Sequence, residues 1–236
     1  MDRIASLVLG LERGCQVSEG FLKRIELDAQ EFYRPMNRGV AKENLILFKQ
    51  AMDGQGLDFF IFFGTLLGAV REGDFIAHDY DTDTVVMAKD RARLLDVAPL
   101  LIDAGFEFAR AKNEHGKIFT FLRKGEFIDV YLAEESRRFP CRPCWNVDGT
   151  LISRQLLTEF TDIEFLGVRF RAPRRFDAAL VEMYGPDWRH EKKNYSSHVA
   201  FDFYHPYLST VRTLQRIVPR KMRQAIKRLY KRTATG

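Results

Sequence analysis

The fold of this chain is decided by Leu57–Met87, which reads LDFFIFFGTLLGAVREGDFIAHDYDTDTVVM. The aromatic run Phe59–Phe63 is too short for an ordinary helix and rich in β-forming residues, which predicts a buried strand. Gly64 ends this strand, and Thr65 can cap a short helix that reaches Val70. The free N–H groups at the start of such a helix attract phosphate. This stretch therefore predicts a strand followed by an anion-binding turn.

Three aspartates alternate after this helix, at Asp79, Asp81 and Asp83, and the β-forming residues Thr84–Met87 follow them. Alternate residues of a strand point to the same side, so the three carboxylates repel one another. A divalent cation is the usual compensation, and hard oxygen ligands suit Mg²⁺ or Mn²⁺. The pattern predicts a metal site at the leading edge of a second strand.

At these residues the sequence resembles the LicD and fukutin-type phosphotransferases, a branch of the nucleotidyltransferase fold superfamily. The resemblance lies in Phe63–Arg71, Phe75-Ile76 and Asp79–Asp83, and continues in order through Phe165–Pro173 and Tyr184–Trp188. With residues 41–133 included, it covers more than half of the chain. It implies an α/β (α+β) nucleotidyltransferase-like domain, in which helices pack on a small mixed sheet.

A third carboxylate of the predicted site comes from a later strand. Asp129 is the one charge inside the apolar run Phe127–Tyr131, and a lone buried carboxylate is costly unless it is paired or bound to metal. The alternative is an acid on an edge strand that faces water. The resemblance implies that Asp81, Asp83 and Asp129 form the catalytic and metal-binding triad of the superfamily.

Substrate-binding residues are predicted around this triad. Gly64 and Thr65 would lie against the phosphates, with Asp79 beside the triad. Arg71, which is part of the family signature, and Lys117 are candidates for binding phosphate oxygens. Arg123 is a further candidate for phosphate oxygens, although any single basic residue can equally be a solvated charge. The family usually has Pro-Trp before the first acid, where this chain has Ala77-His78. His78 is therefore interpreted as a packing ring, with metal or substrate contact as the alternative.

The rest of the chain predicts packing elements and three segments. Helices are expected over residues 41–52, from an Asp90 cap to Gly105, and over Asp177–Tyr184. Strands are expected at 106–111, 118–122 and 127–132, with a Lys124-Gly125 turn and a later hairpin around Gly167. The predicted organisation is an N-terminal helical extension (1–40), a catalytic domain (41–206) and a basic tail (207–236).

Composition limits the class of protein. The chain has 236 residues and is 46% hydrophobic and 13% aromatic, which is ample for a packed core. No window reaches the roughly 18 apolar residues of a membrane span, and the N-terminus lacks a basic region before its short apolar run. We therefore expect a cytoplasmic protein. Cys141 and Cys144 have the spacing of half a zinc site, but no second pair matches, so reduced thiols are the favoured interpretation.

The tail differs in charge from the rest of the chain. Residues 207–236 hold nine Lys or Arg and no Asp or Glu, while the other residues hold 28 basic and 32 acidic side chains. Two apolar stripes at helical spacing accompany this charge, which indicates C-terminal basic amphipathic helices: Leu208, Val211, Leu214 and Val218, then Met222, Ile226 and Leu229. Binding to an anionic membrane surface is the favoured interpretation. A docked helix is the second, and nucleic acid the least favoured because no reader motif is present.

The resemblance implies a metal-dependent transfer of a phosphorylated small alcohol, such as phosphocholine, phosphoglycerol or phosphoribitol. The donor would be CDP-linked, and the acceptor a hydroxyl of a cell-surface glycan, including one on a lipid carrier. The protein would then work peripherally at the inner face of the membrane. Two alternatives stay open: a nucleotidyltransferase that leaves NMP on its acceptor and releases pyrophosphate, and a membrane-bound adaptor without catalysis.

Overall fold

The computed structural model describes residues 35–110, 118–138 and 141–191. Most of the predicted N-terminal extension, the substrate-binding candidate Lys117 and the whole basic tail lie outside these residues. The chain divides into two compact units, Met1–Leu180 and Val181–Gly236. Both sheets and the predicted acidic site belong to the first unit.

A seven-stranded mixed sheet forms the centre of the first unit. Its strands are β1 (Phe60–Ile61), β2 (Asp81–Met87), β3 (Glu107–Arg110), β4 (Ile118–Arg123), β5 (Glu126–Arg138), β6 (Arg142–Val147) and β7 (Thr150–Ser153). The strand order is β1-β2-β5-β4-β3, with β6 pairing with β5 and β7 with β6. Strands β2 and β5 are parallel, and every other pair in this sheet is antiparallel. The predicted mixed sheet is confirmed.

Four α-helices lie among the described residues: α1 (Arg38–Gly54), α2 (Phe63–Arg71), α3 (Arg91–Asp103) and α4 (Phe176–Tyr184). Helix α1 begins earlier than predicted because Asn37 caps it, its Oδ1 accepting from the N–H groups of Gly39 and Val40. Its apolar face is buried, with Phe48 packed edge-on against Phe59. These elements confirm the α/β fold class.

The start of α2 departs from the prediction. Strand β1 ends at Ile61, and the helix begins at Phe63, which has a positive φ of 39°. Phe62 occupies the cap position without a side-chain bond, so Thr65 is not the cap and lies inside the first turn. The Phe62 N–H still bonds to the Asp83 carbonyl on β2, so contact with β2 continues up to the start of the helix.

Asp90 occupies the cap position of α3, as predicted, but without a capping bond. Asp90 ends a 3₁₀ turn, Ala88–Asp90, and its side chain makes no capping bond to the start of α3. Its Oδ1 instead lies 3.4 Å from the guanidinium of Arg93 on the next turn. This ion pair occupies the carboxylate that the prediction assigned to the helix N-terminus.

Two tight turns were predicted correctly. Lys124 and Gly125 join β4 to β5 with φ values of 52° and 81°, the pattern of a type I′ hairpin turn. A separate hairpin consists of β8 (Phe160–Phe165) and β9 (Val168–Pro173). Leu166 and Gly167 form its turn, with φ values of 56° and 77°. No helix among the described residues is both long and apolar enough to span a membrane.

Candidate active site

The site is organised by the parallel pair β2 and β5. Asp83 on β2 lies directly opposite Asp129 on β5, and Asp81 lies opposite Phe127. Residues two apart on a strand share a face, and so do residues directly opposite on neighbouring strands. Asp81, Asp83 and Asp129 therefore share one face of the sheet. We call these three carboxylates together with Asp79 the carboxylate cluster.

Asp83 is the most enclosed member, with 6% of its surface exposed. Its Oδ2 accepts a hydrogen bond from the Gly64 N–H at 2.8 Å, so the carboxylate sits on the start of α2. The Asp83 N–H in turn donates to Oγ1 of Thr65 at 2.8 Å. Thr65 is fully buried, so its hydroxyl fixes β2 against α2 and does not face outward as the capping prediction required.

Gly64 is closely surrounded by carboxylate oxygens. A Cβ added at this position would lie 2.5 Å from Oδ2 of Asp79 and 3.2 Å from Oδ2 of Asp83. Asp79 is half-buried, and its Oδ1 accepts from the Tyr80 N–H at 3.2 Å. Its Oδ2 is buried and has no hydrogen-bond partner in the described part of the chain. A buried carboxylate oxygen without a partner is costly, and a bound cation would satisfy it.

Asp129 is held by threonines of both neighbouring strands. Oγ1 of Thr120 on β4 donates to Asp129 Oδ1 at 2.6 Å, and Oγ1 of Thr84 on β2 donates to the Asp129 carbonyl at 3.0 Å. Thr120 lies directly opposite Asp129 in the β4–β5 register. The aspartate is therefore not on an edge strand, and that alternative is wrong.

Sequence reasoning missed two groups that surround Asp129. Tyr131 lies two residues later on the same face of β5, and its hydroxyl lowers the pKa values of Asp83 and Asp129. Asp148, in the β6–β7 turn, is exposed, and its charge raises the pKa of Asp129. Alternation along Phe127–Tyr131 could have indicated Tyr131. Nothing in the sequence linked Asp148, because its position depends on the pairing of β5 with β6.

The carboxylate cluster places several acidic groups close together in a largely buried site. Burial, followed by repulsion from the neighbouring aspartates, raises the pKa values of Asp81 and Asp83 well above their ordinary value. Burial also raises the pKa of Asp79 to about 6 and that of Asp129 to about 6. For Asp129, the hydrogen bonds from Thr120 and Tyr131 act in the opposite direction.

These properties fit a divalent cation. The cluster offers hard oxygen ligands, repels itself without a counter-charge, and leaves Asp79 Oδ2 unpartnered. Within the residues that the structure describes, no three His, Cys, Asp or Glu side chains form a ready-made metal-binding group. Asp79, Asp81, Asp83 and Asp129 are the residues that would hold such a cation.

Arg71 and Arg123, the two predicted basic residues that the structure describes, have different surroundings. Arg71 ends α2 and its Nη2 lies 2.6 Å from Glu72 Oε1. Arg123 is structural: its guanidinium bonds to Glu43 at 2.9 Å, to Asn44 Oδ1 at 3.0 Å and to the Ala104 carbonyl at 3.2 Å. Its suggested contact with phosphate is therefore wrong, because these three partners hold the guanidinium between helices and sheet.

His78 is a neighbour of the carboxylate cluster, and its charge lowers the pKa of Asp79. His78 is exposed, so the interpretation as a packing ring is wrong. Cys141 is exposed in the β5–β6 turn, whereas Cys144 is buried on β6, and both are free thiols. The favoured interpretation of reduced cysteines agrees with this arrangement.

The family of this chain follows from a comparison with known protein families. The fold and the carboxylate cluster define a nucleotidyltransferase-type transferase domain. Residues 56–175 match the family described as LicD/FKTN/FKRP, nucleotidyltransferase domain. The match covers half of the chain, so the chain belongs to this family. The resemblance seen in the sequence is confirmed.

Solved structures show more distant similarity. A lincomycin-bound lincosamide antibiotic adenylyltransferase, LnuA, has 9% identity and a TM-score of 0.42, over 68% of this chain and 92% of that one. The antibiotic-resistance factor ANT(2″)-Ia in solution has 15% identity and a TM-score of 0.44, over 84% and 100%. Its crystal structure with adenylyl-2″-tobramycin has 16% identity and a TM-score of 0.40, over 73% and 93%. No curated protein matched the chain.

Proposed function

We propose that this domain transfers a phosphorylated small alcohol from a CDP-linked donor to a hydroxyl of a cell-surface glycan. The alcohol would be of the choline, glycerol or ribitol type. The observation that carries the proposal is the register of Asp83 with Asp129 on parallel strands, within the segment that matches the LicD/FKTN/FKRP family. Three carboxylates on one face could hold a divalent cation beside the start of a helix, and the cation and the helix N-terminus would suit a diphosphate substrate.

The residues of the site would have separate roles in binding the cation and the phosphates of the donor. Asp81, Asp83 and Asp129 would hold Mg²⁺ or Mn²⁺, with Asp79 beside them. When bound, the cation neutralises the donor diphosphate. Gly64 at the start of α2 would lie against the phosphates. Arg71 and Lys117 are candidates for binding phosphate oxygens.

In the transfer, the acceptor hydroxyl oxygen attacks the phosphorus that bears the alcohol. The bond from this phosphorus to the bridging oxygen breaks, and CMP leaves with that oxygen. Asp129 would take the hydroxyl proton as general base. Thr120 donates to Oδ1 of Asp129 at 2.6 Å and so orients the carboxylate for this role.

A second candidate is transfer of NMP with release of pyrophosphate, because the matched family is described as a nucleotidyltransferase domain. It uses the same site but a different phosphorus. Incubation with a panel of CDP-alcohols and of NTPs, each with Mg²⁺ and a glycan acceptor, separates the two by product. CMP supports the proposed function, and pyrophosphate supports the second candidate. Absence of both products with every donor would overturn both.

The membrane role is part of the same proposal. If the acceptor is carried by a lipid, the enzyme must reach the membrane surface, and the basic residues of 207–236 suit anionic lipid. The tail lies outside the described residues, so this part rests on sequence alone. We place the protein at the inner face of the membrane on that basis.

A further inference from the structure

The residues at the start of α1 contact the loop that carries Asp79. This loop comprises residues 72–80, between the end of α2 at Arg71 and the start of β2 at Asp81. Three consecutive residues, Met36–Arg38, each form a hydrogen bond to another part of the chain. We call residues 72–80 the Asp79 loop and Met36–Arg38 the clasp.

The clasp binds the Asp79 loop at two places. Nη1 of Arg38 lies 2.9 Å from Oδ2 of Asp74, in an ion pair whose side chains are 41% and 40% exposed. Oδ1 of the same aspartate accepts from the Phe75 N–H at 2.8 Å, so the carboxylate is also bonded to the loop backbone. The Met36 N–H donates to the Asp79 carbonyl at 2.8 Å. The loop is therefore held both after α2 and before β2.

The middle residue of the clasp contacts the strand that carries Asp129. The Asn37 N–H donates to Oε1 of Glu126 at 3.1 Å. Glu126 is the first residue of β5 and is buried. The clasp therefore connects the Asp79 loop to the strand that supplies another carboxylate of the cluster.

The two halves of the Asp79 loop have different surroundings. In the first half, Phe75 is fully buried, and a Cβ added at Gly68 of α2 would lie 2.6 Å from the Asp74 carbonyl oxygen. The next residues, Ala77-His78, are exposed. The bond from the clasp to the Asp79 carbonyl restrains the chain again before β2 begins. The second half thus depends on the clasp more than the first half does.

The backbone position of Asp79 matters because its carboxylate is closely enclosed. A Cβ added at Gly64 would lie 2.5 Å from Oδ2 of Asp79. This oxygen has no hydrogen-bond partner among the residues that the structure describes, and Oδ1 accepts only a 3.2 Å bond from the neighbouring Tyr80 N–H there. The place of this carboxylate in the cluster is therefore set by where the loop holds its backbone.

We propose that Arg38 is a positioning residue, whose ion pair with Asp74 closes the clasp on the Asp79 loop and so fixes Asp79 in the carboxylate cluster. This inference rests on the proposed function, in which Asp79 lies beside the residues that would hold the cation. Arg38 acts through Asp74 and is not proposed to contact substrate. A half-exposed ion pair contributes little to overall stability, so the consequence of losing it is local.

The first test compares Arg38→Met with Arg154→Met in the full-length protein. Arg154→Met is the matched control, because it removes an ion pair with Glu135, at 3.2 Å, that does not involve the Asp79 loop. We expect kcat/KM for the CDP-linked donor to fall about 5-fold in Arg38→Met, the upper effect of an ion pair of this exposure. It should stay unchanged in Arg154→Met. Arg38→Lys keeps the charge and should recover most of the activity.

A double-mutant cycle separates positioning from simple support of the fold. Because Arg38 acts through Asp79, adding Arg38→Met to Asp79→Asn should change kcat/KM by less than about 2-fold. The same 5-fold loss in both backgrounds, wild-type activity of Asp79→Asn, or an Arg38→Met variant that does not fold would overturn the inference.

Hydrogen exchange measures the loop without any substrate. The N–H groups of Phe75, Asp79 and Tyr80 donate hydrogen bonds within the loop, so their exchange rates report on its opening. We expect these amides to exchange about 5-fold faster in Arg38→Met than in the wild type, and at the wild-type rate in Arg154→Met. Unchanged rates in Arg38→Met would overturn the inference.

The two failures are distinguishable. An active wild type whose loop amides exchange no faster in Arg38→Met overturns the inference and leaves the proposed function intact. A wild type that transfers nothing from any donor overturns the proposed function, and the exchange rates then decide by themselves whether Arg38 holds the loop.

Discussion

Oδ2 of Asp83 accepts a hydrogen bond from the Gly64 N–H at 2.8 Å. This bond joins the acidic strand to the start of the helix that follows β1. The helix N-terminus attracts negative charge, so the proposed donor phosphate would compete with the Asp83 carboxylate for the same N–H. The proposed metal-binding and phosphate-binding parts of the site would therefore be one structural unit.

Gly64→Ala should greatly reduce activity while the protein still folds. The added Cβ would lie 2.5 Å from Asp79 Oδ2 and 3.2 Å from Asp83 Oδ2, so both carboxylates must move. We expect kcat/KM to fall by at least about 10-fold, since sub-ångström displacement of catalytic groups is costly. Gly54→Ala, where a Cβ meets nothing within 4 Å, is the control. Equal activity of the two variants would contradict the role of Gly64.

Asp81→Asn and Asp83→Asn should each abolish activity by removing a metal ligand. The expected loss exceeds about 100-fold, because even partners of metal ligands cost that much. The metal-free Tm should rise, since these aspartates repel their neighbours, by about 2–4 °C for each kcal/mol of repulsion relieved. Asp96→Asn, on the exposed side of α3, is the control.

Excess EDTA should abolish the activity of the wild type, because it removes the proposed metal ion. Full turnover in EDTA, or by the Asp81→Asn and Asp83→Asn double variant, would contradict the metal assignment. Activity restored by Mg²⁺ or Mn²⁺ after removal of EDTA would support it.

Stability of the metal-free protein should fall as pH rises through the range of the raised pKa values. The pKa of Asp129 is about 6 in the folded state and has an ordinary value of 3.8. Between these values the folded state binds more protons than the unfolded state, so the free energy of unfolding decreases with rising pH. Asp129→Asn should make the fall shallower between about pH 4 and 6. Chemical denaturation across this range measures it, and identical slopes would contradict the prediction.

Arg123→Ala should reduce stability more than activity. The substitution removes the donor to Oδ1 of Asn44, a fully buried residue, along with the bonds to Glu43 and Ala104. A buried acceptor left without a partner costs about 1–3 kcal/mol. Arg71→Ala should instead raise KM for the donor. Urea denaturation and steady-state kinetics on both variants check this, and the reverse pattern would contradict the assignment.

Removal of residues 207–236 should abolish binding to anionic vesicles. Basic side chains contribute about 1 kcal/mol each near such a surface, and screening over about 8 Å at physiological ionic strength makes this binding sensitive to salt. Co-sedimentation of the full chain and of a version ending at Pro206 measures it, with neutral vesicles as the control. Equal binding by both versions, or none by either, would favour a tail docked on the catalytic domain.

Local sequence determined much of the fold. The turns at Lys124-Gly125 and Leu166-Gly167 were predictable because each has a glycine at the second turn position, where a positive φ is required. The alternation of Asp79, Asp81 and Asp83 places carboxylates on one side of a strand whatever the surrounding fold. Asp129 was detectable because a charge within an apolar strand requires a partner.

The tertiary structure alone decided what surrounds these carboxylates. The parallel pairing of β2 with β5 sets Asp83 opposite Asp129, and local patterns carry no register between strands 46 residues apart in this pairing. The bond from Asp83 to Thr65 overrides the capping preference of that threonine, because a buried N–H must be satisfied wherever the acceptor lies. Strand pairing places Tyr131 and Asp148 near the carboxylates. Arg123 lies away from them because its partners belong to α1 and to the end of α3. Residue type and spacing thus predict which groups are chemically able to act, whereas packing determines which of them meet.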